Sequence, residues 1–124
     1  IEWLPTEEHP VSIHEFISKI NCSFLGLFGE ADHIISVDAI RRMRDTFEEH
    51  NKSYRFRIYR DAPHGWFNDT MPGRYRAEPT EYAWKEILAY LENAFSSELS
   101  ERVIWDFESD ISPEYDFANN VRLE

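Results

Sequence analysis

A nearly continuous apolar run from Cys22 to Phe28, closed by Gly29, narrows the possible folds more than any other stretch of this chain. Such a run suits a strand buried on both faces, as in a parallel sheet covered by helices. The residues beyond Gly29 fit such a sheet. Ser36 reads as a helix N-cap with Asp38 in the first turn. Ile40, Met43 and Phe47 then recur at i, i+3 and i+7, an amphipathic helix of about 13 residues that stops near Asn51. Tyr54, Phe56 and Ile58 alternate with Arg55 and Arg57, which predicts a half-exposed strand near a sheet edge. Residues 60–79 hold Asp, Pro, Gly and Asn and predict a long loop, of a length that points to function. A helix over about Thr80 to Phe95 carries Ala83, Trp84, Ile87, Leu88, Leu91 and Phe95 on one stripe, with Trp84 expected in the core. Strand, helix, strand, long loop, helix is an α/β pattern with parallel strands.

The flanks carry less. Ile1–Pro10 reads as a connecting loop, and Ile13, Phe16, Ile17 and Ile20 suggest a short turn or helix. Val103, Trp105 and Phe107 alternate with polar residues and predict one more strand, while Ile111–Glu124 shows no pattern.

Composition excludes several classes. The chain has 124 residues, enough for one domain, and 42% hydrophobic and 15% aromatic content supports a core rather than global disorder. A formal net charge of -11 argues against nucleic acid and against anionic membrane surfaces. Cys22 is the single cysteine, so no internal disulfide forms, and a reducing, cytoplasmic location is expected. No apolar run reaches the roughly 20 residues of a membrane span, and no signal peptide is expected. His9, His14, His33, His50 and His64 show no metal-ligand spacing, and no Gly-rich phosphate loop occurs, so neither a metal nor a cofactor is expected. The first residue is Ile rather than Met, which points to a processed or partial product lacking an N-terminal portion.

Two stretches carry candidate chemistry: Leu25-Gly26-Leu27-Phe28-Gly29-Glu30-Ala31-Asp32 and Ala62-Pro63-His64-Gly65-Trp66-Phe67-Asn68-Asp69. Each comes after a predicted strand, and ligand chemistry in parallel sheets collects at the carboxyl ends of strands. Adjacent strands lie about 4.8 Å apart, so Asp32 and His64 can meet without being required to. A carboxylate that orients an imidazole is the acid–base half of a nucleophilic triad. The plainer alternatives are a turn-forming Asp and an ordinary loop His. Ser12, Ser18, Ser23 and Cys22 lack the glycine-flanked elbow of a nucleophile, and Cys22 lies at the wrong end of its strand, which suggests a packed, inert thiol.

Residues 20–95 resemble the C-terminal half of the dienelactone hydrolase (carboxymethylenebutenolidase) family of α/β-hydrolases. The resemblance rests on Leu27-Phe28-Gly29-Glu30-Ala31-Asp32, on Pro63-His64-Gly65-Trp66-Phe67-Asn68-Asp69, and on the Ala83-Trp84 helix with Leu88 and Leu91. It implies the last parallel strands and flanking helices of an α/β-hydrolase fold over residues 1–95, with a C-terminal extension over 96–124. It implies Asp32 as orienting acid and His64 as base for a Cys or Ser nucleophile, with Trp66 and Phe67 lining a substrate pocket. The substrate is then a small-molecule ester or lactone. This sequence departs from the family by placing His33 where Pro is common, and Asn68 where dienelactone-cleaving members carry an Arg that holds the substrate carboxylate. The nucleophile elbow itself is missing, so an N-terminal half of the fold is expected to supply it, and the chain alone is expected to be inactive, poorly stable or self-associating. Two other readings stand beside this one: a non-catalytic interaction module derived from the fold, and a piece of a related serine esterase or peptidase.

Overall fold

The computed structural model describes residues 6–8, 10–96 and 102–113. Its elements run α1 (Ile13–Ile17), β1 (Phe24–Gly29), α2 (Val37–Glu49), β2 (Tyr54–Tyr59), α3 (Ala77–Phe95) and β3 (Trp105–Ser109). The strands form a parallel sheet in the order β1-β2-β3. Phe24 to Gly29 pair in register with Tyr54 to Tyr59, and Tyr54 to Ile58 with Trp105 to Ser109. The family-like α/β architecture of parallel strands flanked by helices is thus present, and the strand expected near residues 103–107 lies two residues further on. The proposed loop at Ile1–Pro10 falls largely outside the described residues, as do His9 and most of the stretch from Ile111 to Glu124.

β2 corrects one expectation. It is the middle strand, not an edge, and Tyr54, Phe56, Arg57 and Ile58 are all buried. The arginines read as solvent-facing because alternation cannot reveal a carboxylate on the next strand. Arg57 makes a bidentate contact to Asp106 at 3.0 and 2.9 Å and reaches Glu86 and Glu108 at 3.3 Å, while Arg55 meets Asp106 at 3.1 Å.

The two faces of the sheet differ accordingly. On one, Phe56 and Ile58 pack against Val37, Ile40, Met43 and Phe47 of α2, and Ile17 of α1 joins them. The Ser36 hydroxyl caps α2 by accepting from the Ala39 N–H at 3.0 Å, as its sequence position implied. On the other face a smaller cluster of Ala62, Trp66 and Ala83 forms with Leu27, Tyr59 and Phe67.

α3 begins three residues earlier than expected, and of its residues only Thr80 and Ala83 are buried. Trp84, expected in the core, is 49% exposed, and Leu88, Leu91 and Phe95 of the same stripe are exposed as well. Periodicity marks an apolar stripe but does not say what lies against it. No helix among the described residues is long and apolar enough to cross a membrane.

Candidate functional site

The site forms where the chain leaves β1 and β2. The two exits are stitched by backbone bonds, from Glu30 N–H to the Tyr59 carbonyl at 2.9 Å and from Ala31 N–H to the Ala62 carbonyl at 3.1 Å. Gly29 permits this approach, because a Cβ there would lie 2.0 Å from the Ala62 oxygen. Past the stitch, Asp32 ends up buried, and its Oδ1 accepts from the N–H groups of Ile34 and Ile35 at 2.7 and 2.9 Å. These bonds fold the next loop over the carboxylate and fix the direction of Oδ2.

On the second exit, Gly65 takes φ +85, a left-handed conformation that lets the chain reverse straight after His64. Further bonds hold the loop in place. Trp66 N–H donates to the Pro63 carbonyl at 3.0 Å, and the Trp66 carbonyl accepts from Arg76 N–H at 3.0 Å and from the Thr80 hydroxyl at 3.3 Å. The Arg76 guanidinium also donates to the carbonyls of Asp61, Gly73, Arg74 and Tyr75.

Asp32 and His64 meet, with Nδ1 of His64 3.0 Å from Oδ2 of Asp32. An ionised carboxylate only accepts, so Nδ1 is the donor and neutral His64 keeps a bare Nε2. The Asp32 side chain is 9% exposed and that of His64 is 40% exposed. A sheltered carboxylate thus holds an imidazole that solvent can reach, an arrangement able to take a proton at Nε2 and return it. His33, which stands where Pro is common in the family, is half-buried and sets its ring edge-on to His64, with centroids 5.7 Å apart.

Trp66 is buried against Tyr59 at 5.1 Å and Phe67 at 5.4 Å, and Phe67 is half-buried against Trp84 at 5.2 Å. Asn68 closes its own turn, its side-chain oxygen accepting from Thr70 N–H at 3.0 Å and the Thr70 hydroxyl at 2.8 Å. Cys22 is exposed rather than packed. It precedes β1, so the length of that strand, about 20 Å at 3.3 Å per residue, separates it from Asp32. The serines noted above are occupied elsewhere: Ser12 caps α1, Ser18 donates to the Glu15 carbonyl, and Ser23 bonds the Tyr90 hydroxyl. Among the described residues no group of three or more His, Cys, Asp or Glu side chains could hold a metal ion.

Glu30 is a participant that sequence reasoning missed. It is 3% exposed, and its carboxylate accepts from Asp61 N–H at 2.8 Å, from Ser112 N–H at 2.5 Å and from the Ser112 hydroxyl. Burial alone would raise its pKa. The bonds from Ser112 and Asp61, with the charge of Arg60, outweigh that and hold it below the ordinary value. Its place in a Gly-Glu-x-Asp motif was the only sequence signal.

The sequence pattern of the dienelactone hydrolase family matches residues 3–95. A protein of Methylorubrum extorquens designated a carboxymethylenebutenolidase is 34% identical over 80 residues, covering 64% of this chain and 26% of that protein. A Bradyrhizobium protein designated a 2-oxo-3-(5-oxofuran-2-ylidene)propanoate lactonase is 29% identical over 86 residues, covering 69% of this chain and 34% of its own. A crystal structure from Klebsiella pneumoniae, titled as a dienelactone hydrolase, superposes with a TM-score of 0.64 at 24% identity, over 69% of this chain and 35% of that one. The chain therefore spans about a quarter to a third of the length of these relatives.

Proposed function

The chain belongs to the dienelactone hydrolase family, and from that premise we propose that it carries the acid–base half of a site that hydrolyses small-molecule esters or lactones. The observation that carries the reading is the 3.0 Å contact between His64 Nδ1 and Asp32 Oδ2. In this reading His64 Nε2 takes the proton from a Cys or Ser nucleophile as that group attacks the ester carbonyl. It then returns the proton to the leaving alkoxide. Water repeats the cycle on the acyl intermediate and frees the nucleophile. Asp32 stabilises the imidazolium and never itself gains the proton. Phe67, with part of its ring accessible, lines the acyl pocket, and Trp66 backs it from below.

The nucleophile and its oxyanion hole belong to the part of the family fold that these residues do not span. That part would also pair the outer edge of β1 and cover the stripe of Trp84, Leu88, Leu91 and Phe95, whose exposure supports the reading. These 124 residues are then inactive by themselves. The test is hydrolysis of a short-chain aryl ester and of a five-membered lactone by the protein carrying these residues. Asp32→Asn and His64→Ala should each lower kcat roughly a thousandfold or more with unchanged far-UV circular dichroism. Turnover near wild type in either folded variant removes that residue from the mechanism. The exposed α3 stripe also suits a second reading, a non-catalytic interaction module. Wild-type protein that hydrolyses no ester yet binds a partner through Leu88 would select it.

A further inference from the structure

We infer that Glu30 is a positioning residue for the Asp32–His64 pair, and that residues 110–113 form a strap that locks Glu30 in place. The inference rests on the acid–base reading of that pair. Glu30 stands two residues before Asp32, and Asp61, whose N–H it holds at 2.8 Å, stands three residues before His64. One buried carboxylate therefore joins the segments that carry the two partners. Asp61 itself sits at φ 56, in the left-handed region that side chains rarely adopt. Glu30 accepts from the N–H of that residue and so ties the turn that leads to His64 to the end of β1.

The strap comes from the far side of the sheet. Ser112 lies just past β3, yet it bonds Glu30 beyond the end of β1, so the chain crosses the end of β2 over two strand spacings, about 10 Å. It is pinned along the way. Asp110 N–H donates to the Ile58 carbonyl at 2.9 Å, Arg60 meets the Asp110 carboxylate at 2.9 Å and the Ile111 carbonyl at 3.2 Å, and Ile111 packs on the larger core. These residues lie outside the family match at 3–95.

All three contacts to the Glu30 carboxylate are donors, from Asp61 N–H, Ser112 N–H and the Ser112 hydroxyl. Ionised Glu30 accepts them all, whereas an amide in its place turns an NH₂ group towards a donor. Loosening this joint lets the two exits separate. A proton transfer that depends on a bond between them is sensitive to displacements well below 1 Å.

The experiment is steady-state ester hydrolysis and amide hydrogen exchange on the protein carrying these residues. Ser112→Ala should lower kcat about tenfold with KM within about twofold, and should speed exchange of the Asp61 amide about tenfold. Ser112→Thr should restore both. Glu30→Gln should show the same split with a kcat loss of about a hundredfold. If both variants lower only the thermal midpoint, leaving kcat and Asp61 exchange at wild-type values, the strap is mere scaffolding and the inference fails. His64→Ala in the same assay separates the two claims. Retained turnover there overturns the acid–base reading, whereas loss there alongside full activity of Ser112→Ala overturns the strap alone.

Discussion

The two faces of β2 obey different physics. Towards α2, Tyr54, Phe56 and Ile58 enter a dry cluster with Ile40 and Phe47, where Phe56 and Ile40 are fully buried. Towards α3, Arg55 and Arg57 enter a lattice of carboxylates from Glu86, Asp106 and Glu108, beneath a helix whose apolar stripe stays exposed. The first face is covered by α1 and α2 around Phe56, with Phe24 left at its rim. The second is satisfied electrostatically next to the sheet but leaves large side chains uncovered further out. The proposed function assigns the uncovered stripe to the part of the family fold that these residues, about a quarter to a third of their relatives' length, do not span.

The sharpest way to break this contrast is to remove a ring from the closed face. Phe56→Ala should cost about 3–5 kcal/mol in denaturant unfolding. A cost below about 1 kcal/mol would mean that the α2 face is not a packed core. Arg57→Met should cost less, about 2 kcal/mol, because Arg55 still pairs with Asp106 and Glu86 while Glu108 loses its contact with Arg57.

Acid should probe the same lattice. The hydrogen bond and charge of Arg57 hold the Asp106 carboxyl below its ordinary value of 3.8 against the opposing effect of burial. A carboxyl whose folded pKa is depressed contributes stability that is full above the unfolded value. That contribution is lost as pH falls from about 4 through the folded value. The wild-type unfolding midpoint should therefore drop below about pH 4, and the part of that drop due to Asp106 should vanish in Asp106→Asn. An identical acid profile in the variant would mean that Asp106 is uncoupled from folding.

The smallest effect is expected on the open face. Leu88→Lys with Phe95→Lys should change stability by less than about 0.5 kcal/mol per site, while reducing self-association of the isolated chain in sedimentation velocity. A large loss of stability would show that α3 packs more fully than its exposure indicates.

Much of this was legible in the sequence, and the boundary tracks the range of the interactions. The Ser36 cap, the α2 stripe and the order of β1, α2 and β2 are set by contacts among near neighbours, which local patterns record. Asp32 and His64 were legible as candidates because each stands just past a strand in a motif with family resemblance. β2 was misplaced at an edge because its cover, β3, lies 51 residues away at Tyr54↔Trp105. Trp84 was assigned to the core because the stripe shows apolarity and not burial. Cys22 fared likewise, since an apolar run does not fix where its strand begins. The Glu30–Ser112 contact was hidden for the same reason as the pairing of β2 with β3, since it spans 82 residues and Ser112 sits in a stretch without periodicity.

The proposed acid–base role depends on Asp32 fixing His64 with its proton on Nδ1 and its lone pair on Nε2. Nitrogen-15 NMR of the imidazole ring reads this out, because the two tautomers give different nitrogen shifts. The neutral ring should be predominantly Nδ1–H, and Asp32→Asn should shift the tautomer balance towards Nε2–H. A wild-type ring with its proton on Nε2, or one indifferent to the Asp32 substitution, would refute the role assigned to the pair.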